Sequence, residues 1–204
     1  MGGLHLHEFE VAMALVEPAA ISHWSVLSTH GLTEQPPRRV YVLTTARSAP
    51  RARGARAARS DEGYPVGDTI YQFVQVRSER FFGIEDVWVN ESRIKITDPE
   101  RTLLDGLMAP QYCGDFAEVL HAFEVRTPKL DLERLISYAL RLDAATVKRV
   151  GWILEHQGVE STRLERLREQ PIRGYRVLDP TGPRRGSCDA RWMIQVNLPG
   201  KVKP

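Results

Sequence analysis

The sequence predicts an α+β protein: a small, mostly antiparallel sheet with an N-terminal helical segment, followed by a C-terminal helical bundle. Three observations lead there. Between Arg39 and Thr97, four stretches alternate with period two and are rich in β-branched and aromatic residues. After Thr97, apolar residues recur at helical spacing in three successive segments. With 204 residues, 42% hydrophobic and 26% charged, the chain is long enough for one large domain or two small ones with a real core.

The first segment, HEFEVAMALV, fits a short helix with Phe9, Ala12, Met13 and Val16 on one face, although LHLHEFEV also alternates as a strand would. In EPAAISHWSVLSTHGL, Pro18 suits a first helical turn, Ile21, Trp24 and Leu27 or Ser28 share a face, and Gly31 is placed to end the helix. RRVYVLTT, DTIYQFVQV, IEDVWVN and RIKIT are then expected as antiparallel strands. The turn-forming NES at 90–92 joins the last two into a hairpin, with Ile94 and Ile96 inward and Arg93 and Lys95 outward. Helices follow in DFAEVLHAFEV, through Phe116, Val119, Leu120 and Phe123, and in DLERLISYALRL, through Leu132, Leu135, Ile136, Ala139 and Leu142. A third, AATVKRVGWILEHQG, has Val147, Val150, Gly151 and Leu154 inward, and a short fourth lies around Leu164 and Leu167. PTGPRRGSC is read as loop, and RWMIQVNL as a strand that rejoins the sheet or packs at its edge, with Trp192, Ile194, Val196 and Leu198 on one side and Met193, Gln195 and Asn197 on the other. This gives a helix-plus-sheet subregion at 1–97, with an arginine-rich loop at 46–66, and a helical subregion at 98–204, the two expected as one continuous domain.

Nothing in the chain approaches the roughly 18 apolar residues of a membrane span, and MGGLHLHEFE lacks the basic and apolar blocks of a secretory signal. A cytoplasmic location is therefore expected, without membrane association. Cys113 and Cys188 stand far apart, with no second ligand spaced beside either, and read as reduced thiols. The formal net charge is +2, yet Arg38 to Arg59 holds seven arginines and no acid. Without them 21 basic and 26 acidic residues remain, a balance of −5. One segment therefore carries all of the positive excess.

The stretch ITDPERTLLDGL concentrates carboxylates in the manner of a catalytic centre. Its residues nevertheless have local structural work: Thr97 or Asp98 as N-cap, Pro99 in the first turn, Thr97 with Glu100 at capping-box spacing, and acids at the positive end of the helix dipole. Asp105 lies two turns beyond Asp98, but the chain lacks the GS plus DxD pattern of nucleotidyltransferases and has no nuclease-like carboxylate pair followed by lysine. The active-site reading is rejected, and no catalytic residue, metal site or cofactor is expected. His5 and His7 form a minimal metal pair without a third ligand. His23 and His30 read as polar positions packed at an edge, and GSCD at 186–189 lacks the strand–turn–helix context of a nucleophile elbow. Arg126, Lys129, Arg141, Lys148 and Arg149 give the helices at 115–157 a charged face that reads as solvated.

The candidate nucleic-acid-binding residues are Arg47, Arg51, Arg53, Arg56 and Arg59, separated by small residues, with Arg38 and Arg39 at the start of the adjoining strand. Such a segment pairs with phosphates and gives salt-dependent, largely sequence-independent affinity. It contains no aromatic residue, so it is not a stacking platform for single strands. A solvated loop with no specific task is the plain alternative.

Three stretches, AMALVEPAAISHWSVLSTHGLTEQPPRRVYVLTT, IKITDPERTLLDGLMAPQYCGDFAEVLHAF and LDLERLISYALRLDAATVKRVGWILEHQGV, together resemble the main domain of AbiEi-type antitoxins of bacterial abortive-infection toxin–antitoxin systems. The tail YRVLDPTGPRRGSCDARWMIQVNLPG resembles the end of that domain. The resemblance runs from about Glu8 to Leu198 and is most specific at ISHWS…HGLTEQ and ITDPERTLLDGL…YCG. It implies a non-catalytic protein that counteracts a nucleotidyltransferase-like toxin encoded beside it and binds its own promoter. In that family an N-terminal winged helix supplies most of the DNA reading. The seven residues before Glu8 leave no room for one, so the resemblance implies either a truncated form or a minimal member. Two other classes remain: a degenerate nuclease-like enzyme acting on nucleic acid, and a protein-interaction module that ignores nucleic acid.

Overall fold

The computed structural model describes residues 6–46 and 63–198, in which helices and a six-stranded sheet make an α+β architecture. The chain divides into two compact units, Met1–Thr102 and Leu103–Pro204.

In the first unit, helix α1 (Glu8–Leu15) leads into β1 (Ala19–Ile21), α2 (His23–Thr29) and β2 (Val40–Thr44). The strands β3 (Tyr64–Val66), β4 (Thr69–Gln75), β5 (Ile84–Val89) and β6 (Ser92–Thr97) follow, in spatial order β3-β4-β2-β1-β6-β5. The sheet is mixed rather than purely antiparallel: β2 runs parallel to β4 and β1 parallel to β6. The hairpin at 90–92 forms as expected, with Asn90 at φ 53° and Trp88 opposite Arg93. Ile94 and Ile96 are buried against Phe9, Ala12 and Val16 of the α1 segment, together with Ile21, Val40 and Val42. This apolar layer is the unit's core, and its side chains are of the kind worth roughly 1.5–3 kcal/mol each on full burial.

The strand β1 replaces the expected first turn of a longer helix. Ala19, Ala20 and Ile21 are all buried and pair with Thr44, Leu43 and Val42 on one side, while Ile21 pairs with Ile96 on the other. A three-residue strand covered on both faces has no alternation to betray it, and alanine's helical preference points the wrong way. The end of the helix is as expected, with Gly31 at φ 66° just beyond the His30 cap.

α3 (Pro99–Met108) opens at Asp98, whose Oδ1 accepts the Arg101 N–H at 2.8 Å. The second unit then builds α4 (Phe116–Arg126), α5 (Leu132–Ala139), α6 (Ala144–His156) and α7 (Glu165–Arg168). The first three of these are capped by Asp115, Asp131 and Asp143, each accepting a backbone N–H three residues on. Their buried faces hold Phe116, Val119 and Phe123, then Leu132, Leu135, Ile136 and Ala139, then Val147, Val150, Gly151 and Leu154.

The tail does not rejoin the large sheet. It forms its own three-stranded sheet, β7 (Arg176–Val177), β9 (Ile194–Val196) and β8 (Ser187–Asp189) in that order, so the stretch read as loop contributes a strand. Trp192 and Ile194 are buried as expected, but so is Asn197, assigned to the outer face: its side chain accepts from Asp179 N–H and donates to the Asp179 and Pro183 carbonyls. The charged helix face is also corrected. Lys148 and Arg149 are buried, Lys148 donating to the Leu167 and Arg168 carbonyls at the end of α7 and Arg149 to the Val177 carbonyl at 3.0 Å. Desolvation lowers the pKa of both groups.

Candidate nucleic-acid interface

The two sequence stretches most specific to the family resemblance meet at one place. ISHWS is the exit of β1 into α2 and ITDPERT the exit of β6 into α3, and the parallel pairing of Ile21 with Ile96 sets these exits side by side. The strand ends are tied together by polar side chains. His30 Nε2 is hydrogen-bonded to the Thr97 carbonyl at 2.8 Å, and the hydroxyls of Thr97 and Thr102 lie 2.8 Å apart. Thr102 Oγ1 donates to the Asp98 carbonyl, and the Asp98 N–H donates to Gly83. Ser22 Oγ and His23 Nδ1 are 2.8 Å apart, and Ser25 Oγ donates to the Arg39 carbonyl while accepting from Tyr41 N–H.

Every charged residue of TDPERT is buried. Arg101 donates through Nη1 to the Arg80 carbonyl at 2.8 Å and lies 4.4 Å over the Phe82 ring. Asp98 is 5% exposed and caps the helix, and Asp105 is 1% exposed. The cap is therefore Asp98 alone; Thr97, placed in a capping box by spacing, turns its hydroxyl to Thr102 instead. Groups this enclosed position the two strand exits and present no face to a substrate.

The remaining chemistry-bearing residues fall into structural positions. His7 caps α1, its Nδ1 accepting the Phe9 N–H at 3.1 Å, while His5 lies outside the described residues. Among the described residues no group of three or more His, Cys, Asp or Glu could hold a metal ion. In GSCD, Ser187 and Cys188 are exposed on β8 and Asp189 accepts the backbone N–H groups of Arg191 and Trp192. Cys113 is buried, and desolvation with the nearby Asp105 carboxylate pushes its thiol well above the usual range. No described helix is long and apolar enough to cross a membrane.

Of the seven candidate arginines, Arg47, Arg51, Arg53, Arg56 and Arg59 lie outside the described residues. Arg38 is exposed, and Arg39 is half-buried with its Nη1 3.3 Å from Gln72 Oε1 on β4. The strands fix both ends of the arginine-rich connection. The chain leaves β2 after Thr44, beside Gln75, and re-enters β3 at Tyr64, which pairs with Tyr71, itself the partner of Val40. The re-entry point is thus at the Arg38–Arg39 end of β2, and a Cβ built on Gly63 would stand 3.4 Å from Arg39 Nη1. Arg38 and Arg39 accordingly share one end of the sheet with Gly63 and Tyr64. At the other end, Thr45, Gln75, Val76, Arg77, Ser78 and Glu79 line an open cleft of about 490 Å³.

Sequence reasoning missed further cations in the second unit. Arg173, Arg184 and Arg185, next to the small sheet, are exposed and form no hydrogen bond or ion pair with another described residue, and Tyr175 is exposed beside them in sequence. The unbroken GPRRG was the available signal, set aside as loop composition.

No family model matches the chain, and no curated protein matches it. Among solved structures, the fold is similar to that of the RV2827C protein from Mycobacterium tuberculosis, with a TM-score of 0.59 and 12% sequence identity. The likeness covers 86% of this chain and 61% of that one, so the chain spans less than two thirds of its neighbour's length. At that identity the likeness is one of fold alone.

Proposed function

We propose that this chain is a bacterial antitoxin that counteracts a nucleotidyltransferase-like toxin in the cytoplasm and contacts nucleic acid through its arginines, with promoter binding as its regulatory use. The observation that carries this reading is the meeting of ISHWS and ITDPERT, the two most family-specific stretches, at the exits of the parallel strands β1 and β6. The two stretches are joined by the Ile21–Ile96 pairing and by the hydrogen bond from His30, in the adjoining HGLTEQ, to the Thr97 carbonyl. The burial of Asp98 and Asp105 supports a role without chemistry of its own, since a metal-binding carboxylate must reach its ion and substrate. The arginines support the nucleic-acid contact: the sequence holds seven between Arg38 and Arg59 with no acid among them, and Arg38, Arg173, Arg184 and Arg185 are exposed, the kind of positive charge that pairs with phosphates.

Co-expression with the toxin encoded beside it tests the reading: induced toxin arrests growth, and this chain supplied in trans restores it. A folded, soluble chain that leaves growth arrested contradicts it. Co-purification of the two proteins then separates neutralisation by contact from an indirect route.

A further inference from the structure

Of the four tryptophans, Trp152 and Trp192 are buried and Trp24 is half-buried, whereas Trp88 is 72% exposed. An indole left in water is the exception among large aromatic side chains and marks a surface that meets something. Trp88 lies on β5, the outer strand of the large sheet, directly opposite Arg93, while Asp86 is opposite Lys95. Cross-strand partners share a face, so these four side chains stand together, on the reverse of the face where Val87 and Ile94 meet the core. Arg93 Nη2 and Lys95 Nζ are 3.1 and 3.2 Å from the two oxygens of Asp86, with side chains 66% and 55% exposed. On this face two cations share one carboxylate, so the charge of Arg93 and Lys95 is not fully balanced there.

We propose that this hairpin face is a stacking site for single-stranded nucleic acid, in which the Trp88 indole takes an unpaired base and Arg93 and Lys95 take phosphates beside it. Every nucleobase offers a π-face to an exposed aromatic ring, and flanking cations are what such a platform needs along the backbone. Arg93 and Lys95 outnumber Asp86 on this face, which is the balance phosphate needs, and the outer strand does not favour an added protein strand, because the charged Glu85 and Asp86 on it oppose main-chain pairing. The arginine-rich segment has no aromatic residue, so stacking comes from elsewhere in the chain, and Trp88 supplies it. The proposal stands apart from the antitoxin reading and needs no toxin for its test.

The purified chain is titrated with fluorescently labelled oligothymidylate, oligouridylate and a duplex, each of about a dozen nucleotides per strand, while tryptophan emission is followed. Binding of a single strand quenches Trp88, and Trp88→Ala weakens single-strand binding by about tenfold with duplex binding unchanged. Trp88→Phe keeps most of the affinity but loses the quenching, and Arg93→Ala with Lys95→Ala flattens the salt dependence for single strands. The more tightly held single strand identifies DNA or RNA as the source, and either supports the proposal. A Trp88→Ala chain that binds single strands as well as the wild type, an equal loss on duplex, or capture of an acidic protein without oligonucleotide binding overturns it. Since Trp88 is exposed, its loss leaves the core intact.

Discussion

The indole of Trp192 packs against Gly151 of α6, so close that a Cβ on residue 151 would stand 2.0 Å from Cζ3 and 2.3 Å from Cη2. The small residue and the ring are one packing unit, and Trp192 Nε1 completes it by donating to Glu155 Oε2 at 2.7 Å. Gly151→Ala should therefore destabilise the chain by about 1–3 kcal/mol, although alanine is the better helix former. Urea unfolding followed by tryptophan emission reads the loss; an unchanged or raised midpoint would mean that the ring does not hold this position in solution.

Asp98→Ala should cost about 1–2 kcal/mol, because the first turn of α3 loses its N-cap, while Asp98→Asn retains most of that stability. Asp105→Ala offers the comparison for chemistry. Wild-type protein incubated with nucleic acid and Mg²⁺ or Mn²⁺ should leave the substrate intact. Metal-dependent cleavage that vanishes in either alanine variant would instead make the chain a nuclease-like enzyme.

Glu10 anchors α1 to the hairpin, accepting from the Ser92 hydroxyl and from the His7 N–H. These bonds, Ser92 first, hold the Glu10 carboxyl below its ordinary value of 4.5. A depressed carboxylate pKa stabilises the fold above the unfolded value, and that contribution is lost as pH falls through the lower folded one. Ser92→Ala should thus be less stable than wild type near neutral pH, with the two curves converging on acidification. Curves that stay parallel down to about pH 3 would remove Glu10 from the acid response.

Replacing Arg47, Arg51, Arg53, Arg56 and Arg59 with serine should weaken nucleic-acid binding and flatten its dependence on salt. For every phosphate that is no longer neutralised, the slope of log K against log salt falls by roughly 0.9 on duplex DNA and 0.7 on single strands. Arg38→Ser and Arg39→Ser then report whether the strand start adds to the same surface. An unchanged slope in the five-fold variant would exclude the segment from binding.

Much of this fold was legible because the signals are local. The alternation of Arg93, Ile94, Lys95 and Ile96 sorted side chains between two faces, and NES closed the hairpin that sets their register. In α6, Val147, Val150, Gly151 and Leu154 shared an inward stripe because helical spacing puts them there. Errors arose where a distant partner decided. Lys148 and Arg149 look like surface cations until the carbonyls of Leu167, Arg168 and Val177 close over them. Ala19 to Ile21 became a strand because β2 and β6 offered a slot between them, which no local period announces. At the candidate interface, the clustering of arginines was plain in the sequence. Trp88 was not singled out, because the alternation that puts it on the other face from Val87 says nothing of whether a neighbour covers it.

The antitoxin role is tested most directly by counting surviving colonies after induction of the neighbouring toxin, with this chain or an empty vector supplied in trans. The account predicts survival close to that of uninduced cells when the chain is present, and arrest with the empty vector. Equal killing in both, with the chain recovered soluble and cooperatively folded from the same cells, would contradict it.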